Sequence, residues 1–590
     1  MKKFFIFLAL FALIGVAAVA AVATGEYIEE KVEFVFVSDT HLYAESRLTE
    51  ENYSVISNQS KAIHFSEAVM ESFADEVISS GIKYLLITGD LTEQGDEASH
   101  LRYAEILKKI ADSGTEIFVI NGNHDVPTSY GNIASGITQE RFREIYAPYG
   151  YEGALSTFPG TLSYTADLGK YYRLIAIDNI AYYIDEEGNR KEELSPLHEE
   201  WVTGQVKAAL ADGRQPVLMC HKPFMNHLPD VAGLLESQDM VKKYLSLAEQ
   251  YADLGANFVF TGHMHTQDVK MITTAKGNEF FDVGISSTVC FPAAYRKVKI
   301  TANDLKIDTV YIDDVNPSHL PVYATEQERT FLAEKGYHEY VENHFDGYIG
   351  NVIANLGSEN GYFGEYLQGE GVFAKILNIV IPDAALKTLL SPLYISDEND
   401  GEVSLERIVN NFNASLPSSD YVYGADVIKA VLKNILAGDE NMGETGELEL
   451  LNYIVYGIIY NLDECSAKLQ EAFPDAPVID LDVEKLFAEG KLECYESNLV
   501  PFVIKVFNSS GTLGDALNII KNDFSAVKNF SFVIDSLTSG YLAGVTDYFG
   551  VYDIDVKGLL EAVYSRYAYE MKKDPYPSDN FFYVKINNRV

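Results

Sequence analysis

Gly122-Asn123-His124-Asp125 follows the apolar run Ile117-Phe118-Val119-Ile120-Asn121, and that junction decides how the first half of the chain folds. A short β-branched and aromatic run stopping at a glycine reads as a buried strand ending in a tight turn. The same pattern recurs around it. Phe34-Val35-Phe36-Val37-Ser38 leads into Asp39-Thr40-His41, and Tyr84-Leu85-Leu86-Ile87-Thr88 leads into Gly89-Asp90. Pro216-Val217-Leu218-Met219-Cys220 leads into His221, and Phe258-Val259-Phe260-Thr261 leads into Gly262-His263-Met264-His265. Between these strands, helical periodicity runs from about His64 to Ser80, Glu97 to Ser113, Leu197 to Asp212 and Met240 to Leu254. Such alternation makes an α/β sheet, whose ligand sites lie at the carboxyl ends of the strands.

The residue types at those five ends suit one chemistry. Two metal ions about 3.5–4 Å apart require carboxylate and amide oxygens with imidazole nitrogens, and open positions for water and substrate. Any one element, such as D-x-H or G-D, arises by chance and reads alone as an ordinary surface or core residue. Five in order, each after a strand, do not.

The constellation resembles the calcineurin-like metallophosphoesterase family over roughly residues 31–312. The resemblance implies that Asp39, His41 and His265 hold one metal, that Asn123, His221 and His263 hold the second, and that Asp90 bridges them. It implies that His124 touches substrate or protonates the leaving group, with Asp125 orienting it. Glu93 stands where purple acid phosphatases place a tyrosine, and those enzymes lack a counterpart of His41, so that branch does not fit. S-D-T-H-L, G-D-L-T-x-x-G, G-N-H-D and G-H-M-H are more similar to the class III cyclic nucleotide phosphodiesterases. One departure is a longer gap between His41 and Asp90, with a polar insert around Leu42 to Lys61 that reads as a surface loop rather than a lid. The implied cofactors are two divalent or trivalent ions, and Mn, Fe, Zn and Co all accept such a donor set.

Of 12 histidines, none follows His344, so transition-metal chemistry belongs to the first half. With 45 basic and 87 acidic residues the formal net charge is −42, which repels polyanions and excludes a nucleic-acid polymer as partner. A small phosphate ester remains compatible, because bound cations invert the local field. At the N-terminus, Lys2 and Lys3 precede an apolar run to Ala23 with an A-x-A site before Thr24. This reads as a signal peptide over residues 1–23 and a secreted protein, the alternative being an uncleaved anchor that attaches the chain to the membrane facing outward. Cys465 and Cys494 can form a bridge in an oxidising compartment, whereas Cys220 and Cys290 read as thiols near the site.

The pattern breaks at Asp313-Asp314-Val315-Asn316-Pro317. Strands FFDVG near 280 and KIDTVYI near 306 close a second sheet. From 326 to 590 the segments are longer and helical, as in Asp426 to Ala437 and Glu447 to Asn461, with a further strand in the tail after Pro575. The expected fold is therefore a four-layer αββα sandwich over 31–312, followed by a mostly α-helical accessory domain. In this two-part arrangement the chain resembles secreted bacterial phosphoesterases with a C-terminal accessory domain. Lys222, Asn226, His227, Tyr295 and Arg296 are candidates to line the pocket, with Arg296 and His227 the expected substrate-binding residues, since a guanidinium offers paired donors to phosphate. The function expected is hydrolysis of a small phosphodiester, cyclic nucleotides among them. Phosphomonoester hydrolysis is the alternative, and a non-catalytic metal-binding scaffold the third, disfavoured because no ligand is missing. Oligomeric state leaves no trace in the sequence.

Overall fold

The structure, a computed structural model, describes residues 31–126, 136–181, 183–184, 190–191, 193–225, 227, 244–301, 304–356, 378–379, 381–395, 404–411, 415–438, 446–461, 465–472, 474 and 581–585. The expected signal segment, the Cys494 partner of Cys465, and Asn226 lie outside these residues. Among them, no helix is long and apolar enough to cross a membrane.

Two mixed sheets with flanking helices form an α/β sandwich. The strands are β1 (Lys31–Val37), β2 (Tyr84–Thr88), β3 (Glu116–Ile120), β4 (Ser156–Thr157), β5 (Tyr164–Leu168), β6 (Tyr172–Ile177), β7 (Tyr183–Ile184), β8 (Arg190–Lys191), β9 (Gln215–Cys220), β10 (Phe258–Phe260), β11 (Val269–Thr273), β12 (Glu279–Val283), β13 (Ala294–Thr301), β14 (Asp304–Tyr311) and β15 (Phe581–Lys585). One sheet has the order β15-β14-β13-β1-β2-β3 and the other β11-β12-β10-β9-β6-β5-β4, with β7 and β8 a separate hairpin. β1, β2 and β3 run parallel, as do β6, β9, β10 and β12. All five motif-bearing strands therefore present their carboxyl ends to one edge of the sandwich.

Alternation assigns the layers. In the second sheet, Leu174, Ala176, Val217, Met219, Phe258, Phe260 and Phe281 join the core between the sheets. Their neighbours Ile175, Ile177, Leu218, Cys220, Val259 and Phe280 pack outward on helices Pro196–Ala211 and Tyr244–Leu254. Phe34 of β1 meets Phe260 edge-on, the ring centroids 5.1 Å apart, which ties sheet to sheet. Helices Ser66–Ser80 and Glu97–Asp112 cover the other face of the first sheet. The latter starts where the Asp96 side chain accepts from the Ser99 amide, an N-cap that satisfies an otherwise orphaned donor.

Two features differ from the sequence reading. KIDTVYI is β14, and it extends the first sheet beside β13 rather than the second. The insert is not a loose loop. It carries helix Glu50–Ser57, closed by a reciprocal Thr49–Asn52 capping box, and packs Tyr43, Leu48, Tyr53, Ile56 and Ile63 with Val289. Its polar surface hid an apolar stripe too short to register as periodicity.

The later region has a core of its own, including Leu389, Leu405, Val427, Val431, Ile435, Leu450 and Ile454. Helices Gly424–Ala437 and Glu447–Asn461 contribute most of it. Helix Glu326–Ala354 changes direction at Gly336, where φ is 83° and an added Cβ would strike the Asp313 carboxylate. The helical region touches the sandwich through the Gln267 amide, which donates to the Leu436 carbonyl at 2.9 Å, and through β15, which pairs antiparallel with β14.

Candidate metal centre

Three of the five motifs are bent by their backbone. Among the described residues, Asp39, His41, Asp90, His263 and His265 adopt positive φ, between 42° and 69°. Only Ala293 shares this among non-glycine residues. L-residues enter the left-handed region at a cost, and Asp and His do so more readily than most. The bends turn consecutive side chains off the ends of β1, β2 and β10 into one hollow. Flanking glycines are required by space: a Cβ on Gly122 would lie 2.2 Å from Oδ1 of Asp90, and one on Gly262 2.3 Å from Oδ2 of Asp39.

Two donor clusters result. In the first, Nε2 of His41 lies 3.1 Å from Nε2 of His265, which lies 3.2 Å from Oδ1 of Asp39. In the second, Nε2 of His221 lies 3.0 Å from Oδ1 of Asn123, 3.2 Å from Nδ1 of His263 and 3.3 Å from Oδ2 of Asp90. That same Asp90 oxygen is 3.8 Å from Nε2 of His41, so Asp90 stands between the clusters. Bonds of about 2.0–2.2 Å to one ion place adjacent ligands roughly 3.0–3.4 Å apart, and most of these separations fall there. Oδ1 of Asp39 is buried without a hydrogen-bond donor, as a ligand oxygen would be. The residues present fit two ions of the borderline, nitrogen- and oxygen-seeking kind.

The electrostatics agree. Burial alone would push both carboxylates up, but neighbouring imidazoles hold Asp39 and Asp90 well below their usual range. Conversely, burial would lower His221 and His265, yet Asp90 raises the first to about 9 and Asp39 the second to about 10. The carboxylates thus draw positive charge into the hollow. His41 is different: burial and the Lys61 ammonium bring it down to about 4, so its ring is neutral. Behind the ligands, Nδ1 of His221 donates to the Thr88 carbonyl at 2.9 Å, and Sγ of Cys290 lies 3.7 Å from Nδ1 of His265.

His124 sits at the rim, its side chain 32% exposed. Its backbone amide donates to Oδ1 of Asp90 at 2.7 Å, and its Nδ1 donates to the Glu93 carbonyl at 2.7 Å. This corrects the role expected of Asp125. That carboxylate accepts from the amides of Leu91, Thr92 and Gly122, stitching the Asp90 loop to the Asn123 loop, and the ring of His124 is oriented by Glu93 instead.

Arg296 and His227 also lie elsewhere than expected. Arg296 is fully buried in the middle of β13, with Nε donating to Oε1 of Gln267 at 2.7 Å. His227 is fully buried between Asp268, at 2.8 Å, and Asp282, at 3.3 Å. Tyr295 is buried and bonded to Glu76, and the Lys222 carbonyl accepts from Asn179. The sequence showed cations following motifs but not that strand alternation turns Arg296 inward. It also gave Glu93 and Lys61 no role at the site, although the fold brings both against His41; no motif spacing signals a partner delivered by an insert.

Residues 32–267 match the family model of calcineurin-like phosphoesterases. With the two clusters, that match defines a metal-dependent phosphoester hydrolase. Similar solved structures include a dimetal phosphatase from Danio rerio, 10% identical over 47% of this chain and 95% of that one, with a TM-score of 0.35. A purple acid phosphatase from yellow lupin is 14% identical over 48% of this chain and 52% of its own, with a TM-score of 0.32. No curated protein sequence matches the chain.

Proposed function

We propose that the chain hydrolyses small phosphodiesters, cyclic nucleotides among them, outside the cell. The observation that carries the reading is Asp90 standing between two complete donor clusters with His124 beside it. Two ions held there supply charge stabilisation for the phosphoryl group and an activated water. The chain's own part is positional. Asp39, His41 and His265 on one side, and Asn123, His221 and His263 on the other, fix the donor geometry. The Glu93 carbonyl holds Nδ1–H of His124, so that the doubly protonated ring presents Nε2–H at the rim, gives that proton to the departing oxygen and is left as the neutral Nδ1–H imidazole.

Two points favour a diester over a monoester. The motif combination resembles the cyclic nucleotide phosphodiesterase branch. A diester also brings one negative charge, and a monoester up to two, toward a chain of net charge −42, and repulsion grows with substrate charge. Export rests on the basic and apolar N-terminal segment.

A substrate panel tests this. The metal-loaded protein is assayed on a bis-aryl phosphate, an aryl phosphate and 2′,3′- and 3′,5′-cyclic nucleotides. The expected result is a larger kcat/KM for the diesters. A preference for the aryl monoester would make it a monoesterase, and full metal occupancy with no turnover on any ester would make it a scaffold.

A further inference from the structure

Metal-binding imidazoles are commonly fixed through their second ring nitrogen, which donates to a carboxylate or carbonyl and leaves the lone pair on the metal side. For His221 that partner is the Thr88 carbonyl. For His41 we infer that the partner is Glu93, and that Lys61, brought in by the inserted helix, neutralises it; both are positioning residues of the first cluster. The inference rests on the two-metal reading above.

Nδ1 of His41 lies 2.8 Å from Oε2 of Glu93, and the Lys61 ammonium lies 2.6 Å from the same oxygen and 3.3 Å from Nδ1. Only one assignment suits both ends of the ring. If Lys61 donated to Nδ1, Nε2 would carry the proton and point it at Nε2 of His265, 3.1 Å away. If Nδ1 donates to Glu93, Nε2 offers its lone pair toward Asp39 and His265. Glu93 also holds His124 through its backbone carbonyl, so one residue sets both rings, which meet edge-on at 4.8 Å.

The segment carrying Lys61 is held both by the sandwich and by the helix that follows it. The next amide, Ala62, donates to the Val289 carbonyl at 2.8 Å, and the Gln59 carbonyl accepts from Nε2 of His344 at 2.7 Å. Tyr53 donates to Glu328 at 3.0 Å, and His64 pairs with Tyr340 at 3.1 Å. Helix Glu326–Ala354 thereby anchors the segment that ends in Lys61.

Cobalt(II) titration of the full chain, followed by visible absorption and calorimetry, tests this without an activity readout. His265→Ala identifies the signal of the first cluster. In Glu93→Ala that cluster should bind roughly 10–100-fold more weakly while the other keeps its affinity, and Glu93→Gln, whose amide oxygen still accepts from Nδ1, should recover part of the loss. If Glu93→Ala does not fold, Glu93→Gln must still weaken the first ion alone. Wild-type affinity at both clusters in the folded variants, or equal loss at both, overturns the positioning role. A wild-type chain that takes up no cobalt overturns the metal reading itself.

Discussion

Nε2 of His41 and Nε2 of His265 stand 3.1 Å apart although 224 positions separate them, and both backbones sit at positive φ. Five such positions surround the hollow, each costing on the order of 1 kcal/mol or more, and Oδ1 of Asp39 is buried without a hydrogen-bond partner. Cation binding is expected to offset both costs. Loading a chelator-treated sample with Mn²⁺ at about 100 times the dissociation constant should stabilise it by ~2.7 kcal/mol per site, roughly 5–10 °C in the melting of this domain. Calorimetric scans with and without Mn²⁺ that superimpose would contradict it.

The ring of His124 meets His41 edge-on, with a ring nitrogen within 4.8 Å of the His41 and Asp90 donors, but its Nδ1 is held by the Glu93 carbonyl. His124→Ala should therefore keep both ions while turnover falls roughly 10²–10⁴-fold, the usual span for general acid catalysis. The deficit should shrink as the leaving group becomes more acidic. Equal deficits for nitrophenyl and alkyl esters would remove the leaving-group role.

How far the site was legible depended on whether the sequence carries backbone-local signals. Asp39, Asp90, Asn123, His221 and His263 follow strands directly, and the strand-then-turn pattern located them. Arg296 could not be placed, because its orientation depends on pairing with Phe36 across β1 and β13, a register invisible in one strand. Asp125 was assigned to its sequence neighbour His124, whereas its carboxylate serves amides more than thirty positions back. The insert was hidden for another reason: its apolar residues face Val289, a partner reached only in three dimensions.

Buried His100 sets an acid limit on stability. Its Nε2 donates to the Asp125 carbonyl at 3.0 Å and its Nδ1 accepts from Tyr146 at 2.9 Å, and burial lowers it from 6.5 to about 4. The unfolded chain binds this proton near pH 6.5 and the folded chain only near 4. Stability is thus full above 6.5 and falls as pH drops through that window, with a slope of up to ~1.4 kcal/mol per pH unit from this group. His100→Gln should flatten the melting temperature against pH between 6.5 and 4. Parallel curves for the two proteins would refute this.

β15 supplies the outer strand of the catalytic sheet from the far end of the chain. A chain of residues 24–320 loses that strand and exposes the edge of β14, along with the groups that meet helix Glu326–Ala354. Unpaired edges favour association, so light scattering should show it aggregating at concentrations where the full chain stays monodisperse. A monodisperse truncation melting at the full-length temperature would show that the later region adds nothing to the sandwich.

Asp90 stands between the two donor clusters, and metal counting in Asp90→Asn reads the consequence of that position. Elemental analysis after dialysis against metal should find two ions per wild-type chain. The variant should lose most of its bound metal and nearly all hydrolysis, while its circular dichroism matches the wild type. Two ions per chain in a folded Asp90→Asn protein with undiminished turnover would contradict the account.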